Sequence, residues 1–208
     1  MAYVVLAEGA TLLRGLACPV AESLLADISA VLAAAPLRHM ITPGGKRMSA
    51  AMSSCGPLGW ISDRRGYRYS PCDPASGRPW PAMPDSIRSL AVQAAAAAGF
   101  SGFLPDACLI NRYLPGDKMT LHQDRDERDF TAPIVSVSLG LDAIFQLGGE
   151  DRRDRCTRHL LQHGDVVVFG GPARLRFHGI LPIKAAPLTP PHPKLQDQRI
   201  NLTLRRAG

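Results

Sequence analysis

The sequence has few cysteines and keeps them apart: Cys18, Cys55, Cys72, Cys108 and Cys156 are odd in number and form no Cys-x-x-Cys. That spacing argues against a disulfide framework or a structural zinc cage and fits a reducing compartment. No apolar run is long enough to cross a bilayer. The N-terminal apolar stretch has no basic leader and is interrupted by Glu8 and Arg14, so no secretory signal is expected. A cytoplasmic protein without membrane association is the expectation. No internal repeat is present. Charged residues are only 20% of the chain against 46% hydrophobic, which allows a sizeable core and excludes disorder as the default. A length of 208 residues suits one domain. The net charge of +6 suits a polyanion such as nucleic acid without requiring one.

Helical spacing occurs twice, both times in the first half. After Pro19, Val20, Leu24, Leu25, Ile28, Val31 and Leu32 recur with helical period until Pro36. An Ala-rich helix is predicted from about Asp85 to Ala98, closed by Gly99. Tyr3 to Leu16 is β-compatible, and Ser49 to Ser53 is a candidate short strand. Cys55 to Pro84, rich in Gly, Pro and aromatics, reads as a long irregular stretch of functional loops.

Beyond Gly99 the period changes. Short apolar runs lie between turn signals at Ala107–Tyr113, Lys118–His122, Ile134–Leu139, Ala143–Leu147, Arg158–Leu161, Val166–Phe169, Arg174–His178 and Arg199–Arg205. Strands at this spacing predict an antiparallel sandwich or barrel with the two helices leaning on it. The four prolines within Ala185 to Pro193 predict a long loop before the last strand.

His122-Gln123-Asp124 carries the first chemical signal. In an extended segment alternate side chains share a face, so His122 and Asp124 project together. An imidazole and a carboxylate are part of a divalent metal site, and His178 is placed to complete it from another strand. Two histidines and one carboxylate leave coordination positions open, as a non-haem Fe(II) oxygenase needs. His-x-Asp is common by itself, and so is a packed histidine; the surrounding motifs give the triplet its weight. His159 and His163, four residues apart, read as structural.

The last strand carries the second signal. Arg199, Asn201, Thr203 and Arg205 alternate with Ile200, Leu202 and Leu204. Outward arginines on an edge strand are the plain reading. Inward guanidinium groups would instead bind carboxylates, as a dicarboxylate co-substrate requires. Asn111 and Tyr113 share a face on an earlier strand and could complete such a pocket.

These strings together resemble the AlkB family of alkylation-repair dioxygenases, from roughly Leu37 to Gly208. The carriers include Thr42-Pro43-Gly44-Gly45, Met48-Ser49, Gly59-Trp60, Pro79-Trp80-Pro81, Asn111-Arg112-Tyr113, Leu121-His122-Gln123-Asp124, Asp126-Glu127 and Pro133 to Gly140. His163-Gly164-Asp165-Val166-Val167, His178-Gly179-Ile180 and Arg199 to Arg205 complete the set. The resemblance implies an α+β, mainly β fold: a double-stranded β-helix (jelly roll) core with N-terminal helices packed on one sheet. It implies one domain, with residues 1–105 as N-terminal extension and nucleotide-recognition lid and residues 106–208 as the catalytic core.

It further implies Fe(II) on His122, Asp124 and His178, with 2-oxoglutarate and O2 as co-substrates. Arg199 would take the distal carboxylate of 2-oxoglutarate and Arg205 would support its metal-proximal end. Asn111, Tyr113 and Asn201 would hold the co-substrate as well. Trp60 and Tyr67 resemble lid aromatics, and Asp126, Glu127 and Arg152 match positions that line or face the damaged base. The implied activity is oxidative removal of alkyl groups from bases such as 1-methyladenine and 3-methylcytosine, in single- or double-stranded DNA and possibly RNA, by a monomer. Lys46 departs from the pattern, standing where a lid aromatic is expected. The same chemistry on RNA, protein or a small metabolite, a zinc hydrolase and a non-catalytic jelly roll are the rival readings.

Overall fold

The computed structural model describes residues 3–185 and 191–208. Its elements run β1 (Tyr3–Ala7), β2 (Ala10–Leu13), α1 (Ala21–Ala34), β3 (Ala51–Cys55), β4 (Gly59–Asp63), β5 (Gly66–Ser70) and α2 (Asp85–Ala97). They continue as β6 (Ala107–Tyr113), β7 (Met119–His122), β8 (Ile134–Gly140), β9 (Ala143–Leu147), β10 (Thr157–Leu161), β11 (Val166–Phe169), β12 (His178–Ile180) and β13 (Arg199–Arg205).

Two sheets face each other. One has seven strands in the order β1-β2-β11-β8-β13-β6-β3, the other four in the order β10-β9-β12-β7. All their pairings are antiparallel. The alternation of β13 shows how sequence period builds the layers. Ile200, Leu202 and Leu204 point to the helices, joining Leu24, Ile28, Ile87, Leu90, Val135 and Val137 in one core. Burial of such side chains contributes roughly 1.5–3 kcal/mol each. The opposite residues, Arg199, Asn201, Thr203 and Arg205, line a cavity between the sheets. Phe145, Leu147, Val167 and Phe169 fill the adjoining part of the sandwich.

Both helices form on the predicted apolar faces. Leu24, Leu25, Ile28 and Val31 are the buried residues of α1 beside Ala21, while Ile87, Leu90 and the alanines 91, 94 and 95 are those of α2. Gly99, at φ +91, closes α2 as a left-handed residue.

Four expectations change. Tyr3 to Leu16 is not one extended stretch but a hairpin turned at Glu8-Gly9, and β2 pairs with β11 inside the large sheet. Gly9 is required there: a Cβ would stand 2.3 Å from the Gly170 carbonyl oxygen. Cys55 to Pro84 is not wholly irregular, because β4 and β5 pair over five registered positions as a separate hairpin. The strand expected at Arg174 to His178 begins instead at His178, since the 3-10 turn Gly171–Ala173 reverses the chain just before it. The first hundred residues are more than an extension, because β2 and β3 are strands of the large sheet. Of the Pro-rich loop, residues 186–190 lie outside the described residues.

Candidate active site

His122 ends β7 and His178 begins β12, and the two are direct partners across that strand pair. Adjacent antiparallel strands thereby bring two imidazoles together, with ring centroids 4.4 Å apart. Asp124 follows two residues after His122 and reaches back. Its Oδ1 is 3.6 Å from His122 Nε2, and its Oδ2 is 3.9 Å from His178 Nε2. The three ligand atoms lie within 4.8 Å of one another, the spacing of groups that can share one ion. Each ring is also oriented from behind. His122 Nδ1 is 2.9 Å from the Thr120 carbonyl oxygen, and His178 Nδ1 is 3.1 Å from that of Arg176. Donation from each Nδ1–H leaves both Nε2 lone pairs facing Asp124, the tautomer a metal ligand needs.

The electrostatics keep the set ready for a cation. Burial, then the neighbouring His122 ring, pushes His178 down to about 4, so it stands neutral. Burial alone would raise Asp124, but the Arg205 guanidinium and the two imidazoles outweigh it and hold the carboxyl well below the usual range.

The cavity beside this triad is lined by β13 and β6. Arg199 pairs across the ladder with Tyr113, and Asn201 with Asn111. Arg199 is among the largest fully buried side chains. Its Nη2 donates to Ser138 Oγ at 3.0 Å, and its guanidinium carbon lies 5.3 Å from the Tyr113 ring centroid. Its Nε and Nη1 have no partner among the described residues. A buried guanidinium with two free N–H groups costs several kcal/mol unless something satisfies it, on the order of 1–3 kcal/mol per unmet group or more. A carboxylate is the matching shape and charge. Asn111 Oδ1 is likewise buried without a partner among the described residues, while Asn201 donates to Ser136 Oγ and the Val137 carbonyl at 2.8 and 2.9 Å.

The β4–β5 hairpin packs against the segment that follows Asp124. Trp60 and Tyr67 stack with centroids 5.6 Å apart and planes 13° from parallel. Trp60 Nε1 donates to Asp126 Oδ2 at 2.7 Å. On the next strand, Tyr69 Oη donates to Glu127 Oε1 at 2.6 Å. Both strands of the hairpin are thus tied to the segment that follows the metal-type ligands. Arg152 is exposed; it donates to the Leu121 carbonyl at 2.7 Å and lies over the Phe177 ring.

Glu127 and Arg205 join one buried ionic cluster. Glu127 is buried, with Arg174 Nη2 at 2.9 Å and Arg205 Nε at 3.3 Å. Arg205 borders the cavity, and its Nε and Nη2 donate to Asp124 Oδ2, at 3.0 and 2.7 Å. Arg174 was not singled out by sequence pattern. It braces the same segment, donating to the Asp124 and Ala132 carbonyls at 2.9 and 3.2 Å. Tyr69 could have been found from its period-two spacing to Tyr67; nothing local marks Arg174.

A jelly roll with two histidines and an aspartate on one face, beside a buried unpaired arginine, defines a non-haem Fe(II) oxygenase with a keto-acid co-substrate. The profile of the 2OG-Fe(II) oxygenase superfamily matches residues 9–205. The alpha-ketoglutarate-dependent dioxygenase AlkB of Escherichia coli is 58% identical over 203 residues, covering 98% of this chain and 92% of that protein. The AlkB homolog of Caulobacter vibrioides is 47% identical over 186 residues, covering 86% and 80%. The solved structure of OsALKBH1 superposes with a TM-score of 0.80 at 28% identity, covering 99% of this chain and all 100% of that one. This chain belongs to the AlkB family of 2-oxoglutarate- and Fe(II)-dependent dioxygenases.

Proposed function

We propose that this enzyme removes alkyl groups from N-alkylated bases, such as 1-methyladenine and 3-methylcytosine, in DNA and also in RNA. The supporting observation is the His122, Asp124 and His178 cluster, two residues from Asp126, which accepts from Trp60 of the Trp60 and Tyr67 stack.

His122, Asp124 and His178 hold Fe(II) through two imidazole nitrogens and a carboxylate oxygen. Arg199 takes the distal carboxylate of 2-oxoglutarate on its free Nε and Nη1, with Asn111, Tyr113 and Asn201 around it. Arg205 keeps Asp124 ionised and aimed. Iron, with 2-oxoglutarate and O2, supplies the oxidation: the keto acid becomes succinate and CO2, and one oxygen atom enters the N-alkyl C–H bond. The hydroxylated carbon then separates from nitrogen as formaldehyde, restoring the base.

The protein's own residues bring the base to that chemistry. A target base must leave its stack, at a cost of a few kcal/mol, about least for a lesion that pairs poorly. Trp60, or the His122 ring, offers a replacement stack, worth about 1–3 kcal/mol per base. Asp126 presents a carboxylate, which favours a cationic methylated base over a neutral one. Exposed Arg152 offers a contact to the base or its phosphate.

We also place the enzyme in the cytoplasm as a monomer with one catalytic domain. All five cysteines are free, and no described helix is long and apolar enough to cross a membrane.

The test is formaldehyde release from a single-stranded oligonucleotide with one 3-methylcytosine, using the iron-loaded enzyme and 2-oxoglutarate. Release at the rate of succinate formation is expected. Succinate formation that ignores the oligonucleotide, or that a methylated peptide stimulates instead, overturns the substrate assignment.

A further inference from the structure

His163 does something a packed histidine need not do. The ladder between β11 and β8 continues past Val166 by backbone bonds: Ser138 N–H donates to the Asp165 carbonyl, and Gly164 N–H to the Ser138 carbonyl, both at 2.8 Å. The next donor on that edge of β8 is the Gly140 N–H. It is accepted by His163 Nδ1 at 3.0 Å. The imidazole is one rung of the sheet.

That rung lies at the arginine of the cavity. Gly140 is the register partner of Arg199, and Leu141 N–H donates to the Gln198 carbonyl at 3.1 Å. Gly140 has φ +88, and a Cβ there would stand 2.3 Å from the Gln198 oxygen, so the two strand ends are pressed together. Two residues back, Ser138 Oγ accepts from Arg199 Nη2. The end of β8 therefore sets both where Arg199 emerges and what holds its guanidinium.

The ring is backed by a second contact. His192, on the segment leading to β13, stacks on His163 with centroids 5.2 Å apart and planes 20° from parallel. His192 Nε2 is 3.1 Å from Glu22 Oε1 on α1, and its Nδ1 accepts from Lys194 N–H at 3.2 Å. The charged and titratable groups about this corner are His192 and Lys194 ahead of β13, Glu22 on α1, Cys18 before α1, and Asp165. Cys18 Sγ donates to the His163 carbonyl, Lys194 Nζ pairs with Glu22, and Asp165 is held by Arg14.

We propose that His163 is a positioning residue for co-substrate binding: its Nδ1 fixes the Gly140 end of β8 and so the placement of Arg199. The bond needs a ring nitrogen free to accept, so a doubly protonated imidazole would break it. Burial, then the neighbouring His192, lowers His163 from its ordinary value. A base lowered in the folded state contributes fully above the ordinary imidazole range and loses that contribution as pH falls below it. In the folded protein the ring gains its second proton only below that lowered value, so 2-oxoglutarate binding should weaken in acid below the ordinary imidazole range.

The inference rests on Arg199 as the carboxylate partner, so Arg199→Met is measured in parallel. The full-length protein is titrated anaerobically with 2-oxoglutarate in the presence of Mn(II), and backbone amide exchange is followed at Gly140. His163→Phe should speed Gly140 exchange and raise the 2-oxoglutarate Kd, each by about tenfold. Mn(II) affinity and kcat at saturating 2-oxoglutarate should stay within about twofold, the pattern of lost uniform binding. His163→Asn offers Oδ1 near the Nδ1 position and does not titrate. It should restore wild-type binding near neutral pH and should not share the wild type's added loss of binding in acid below the ordinary imidazole range.

Unchanged Gly140 exchange and Kd in His163→Phe overturn the proposal, as does a parallel fall in Mn(II) affinity. If His163→Phe does not fold, an asparagine variant that weakens in acid like the wild type overturns it as well. An Arg199→Met protein that binds 2-oxoglutarate normally defeats the Arg199 assignment instead, whatever the His163 variants do.

Discussion

Arg205 donates Nε and Nη2 to a single oxygen of Asp124, Oδ2, at 3.0 and 2.7 Å, leaving Oδ1 turned to His122. Both side chains are buried. Removing one member of a buried ion pair strands the other charge and costs about 3–5 kcal/mol. Arg205→Met should lose that much in urea unfolding. Asp124→Asn in the same background removes the stranded charge and should recover part of the loss. Strictly additive losses in the double mutant would show that the two side chains are not coupled.

Arg199 makes a different claim, on geometry and not charge alone. Its Nε and Nη1 are buried and unpaired among the described residues. Lysine keeps the charge but offers no planar fork. Losing one charge-assisted bond costs about 1.5–3 kcal/mol, or roughly 10- to 150-fold. Arg199→Lys should therefore raise the KM for 2-oxoglutarate by that factor while Mn(II) binding stays near wild type. A KM within twofold of wild type, about 0.4 kcal/mol, would mean the fork is not used.

What could be read in advance divides along one line. Period-two alternation gave β13 and the shared face of His122 and Asp124, because a strand's own pattern states which side chains point together. Contacts between distant segments left no such trace. Glu127 was expected to line or face the damaged base from the motif it shares with Asp126, but nothing local announced its buried ion pair with Arg174, 47 residues further on. The β4–β5 hairpin was hidden because its five-residue strands lie in a stretch rich in Gly and Pro, where turn signals outnumber strand signals. His178 was placed at the wrong end of its strand because Gly171-Pro172 starts a 3-10 turn that apolar spacing does not report.

Trp60 is the residue through which the β4–β5 hairpin should be felt. It stacks on Tyr67 and hydrogen-bonds Asp126 from the same indole. Loss of one base stack is worth about 1–3 kcal/mol, roughly 5- to 150-fold. Trp60→Ala should raise the KM for a methylated oligonucleotide by that factor. Slow oligonucleotide-independent turnover of 2-oxoglutarate should not change, since the metal-type cluster and Arg199 are left intact. Equal loss of both activities would show that Trp60 supports the fold and not the substrate.

Asp73 supplies a pH test outside the active site. Its buried carboxylate meets Arg38 Nη2 at 2.5 Å, and that guanidinium also lies over the Trp80 ring. Burial alone would raise Asp73, but the Arg38 hydrogen bond and the Ala75 amide outweigh it and hold the carboxyl below its ordinary value. A carboxyl lowered in the folded state contributes stability above its unfolded pKa, about 3.9, and loses it as pH falls toward the folded value. The wild type should therefore lose stability below about pH 4 more steeply than Asp73→Asn, although the variant is the less stable of the two near neutrality. Urea unfolding from neutral to acid pH reads both slopes. Parallel curves would show that Asp73 titrates alike in the folded and unfolded chain, and that the Arg38 contact does not hold its charge.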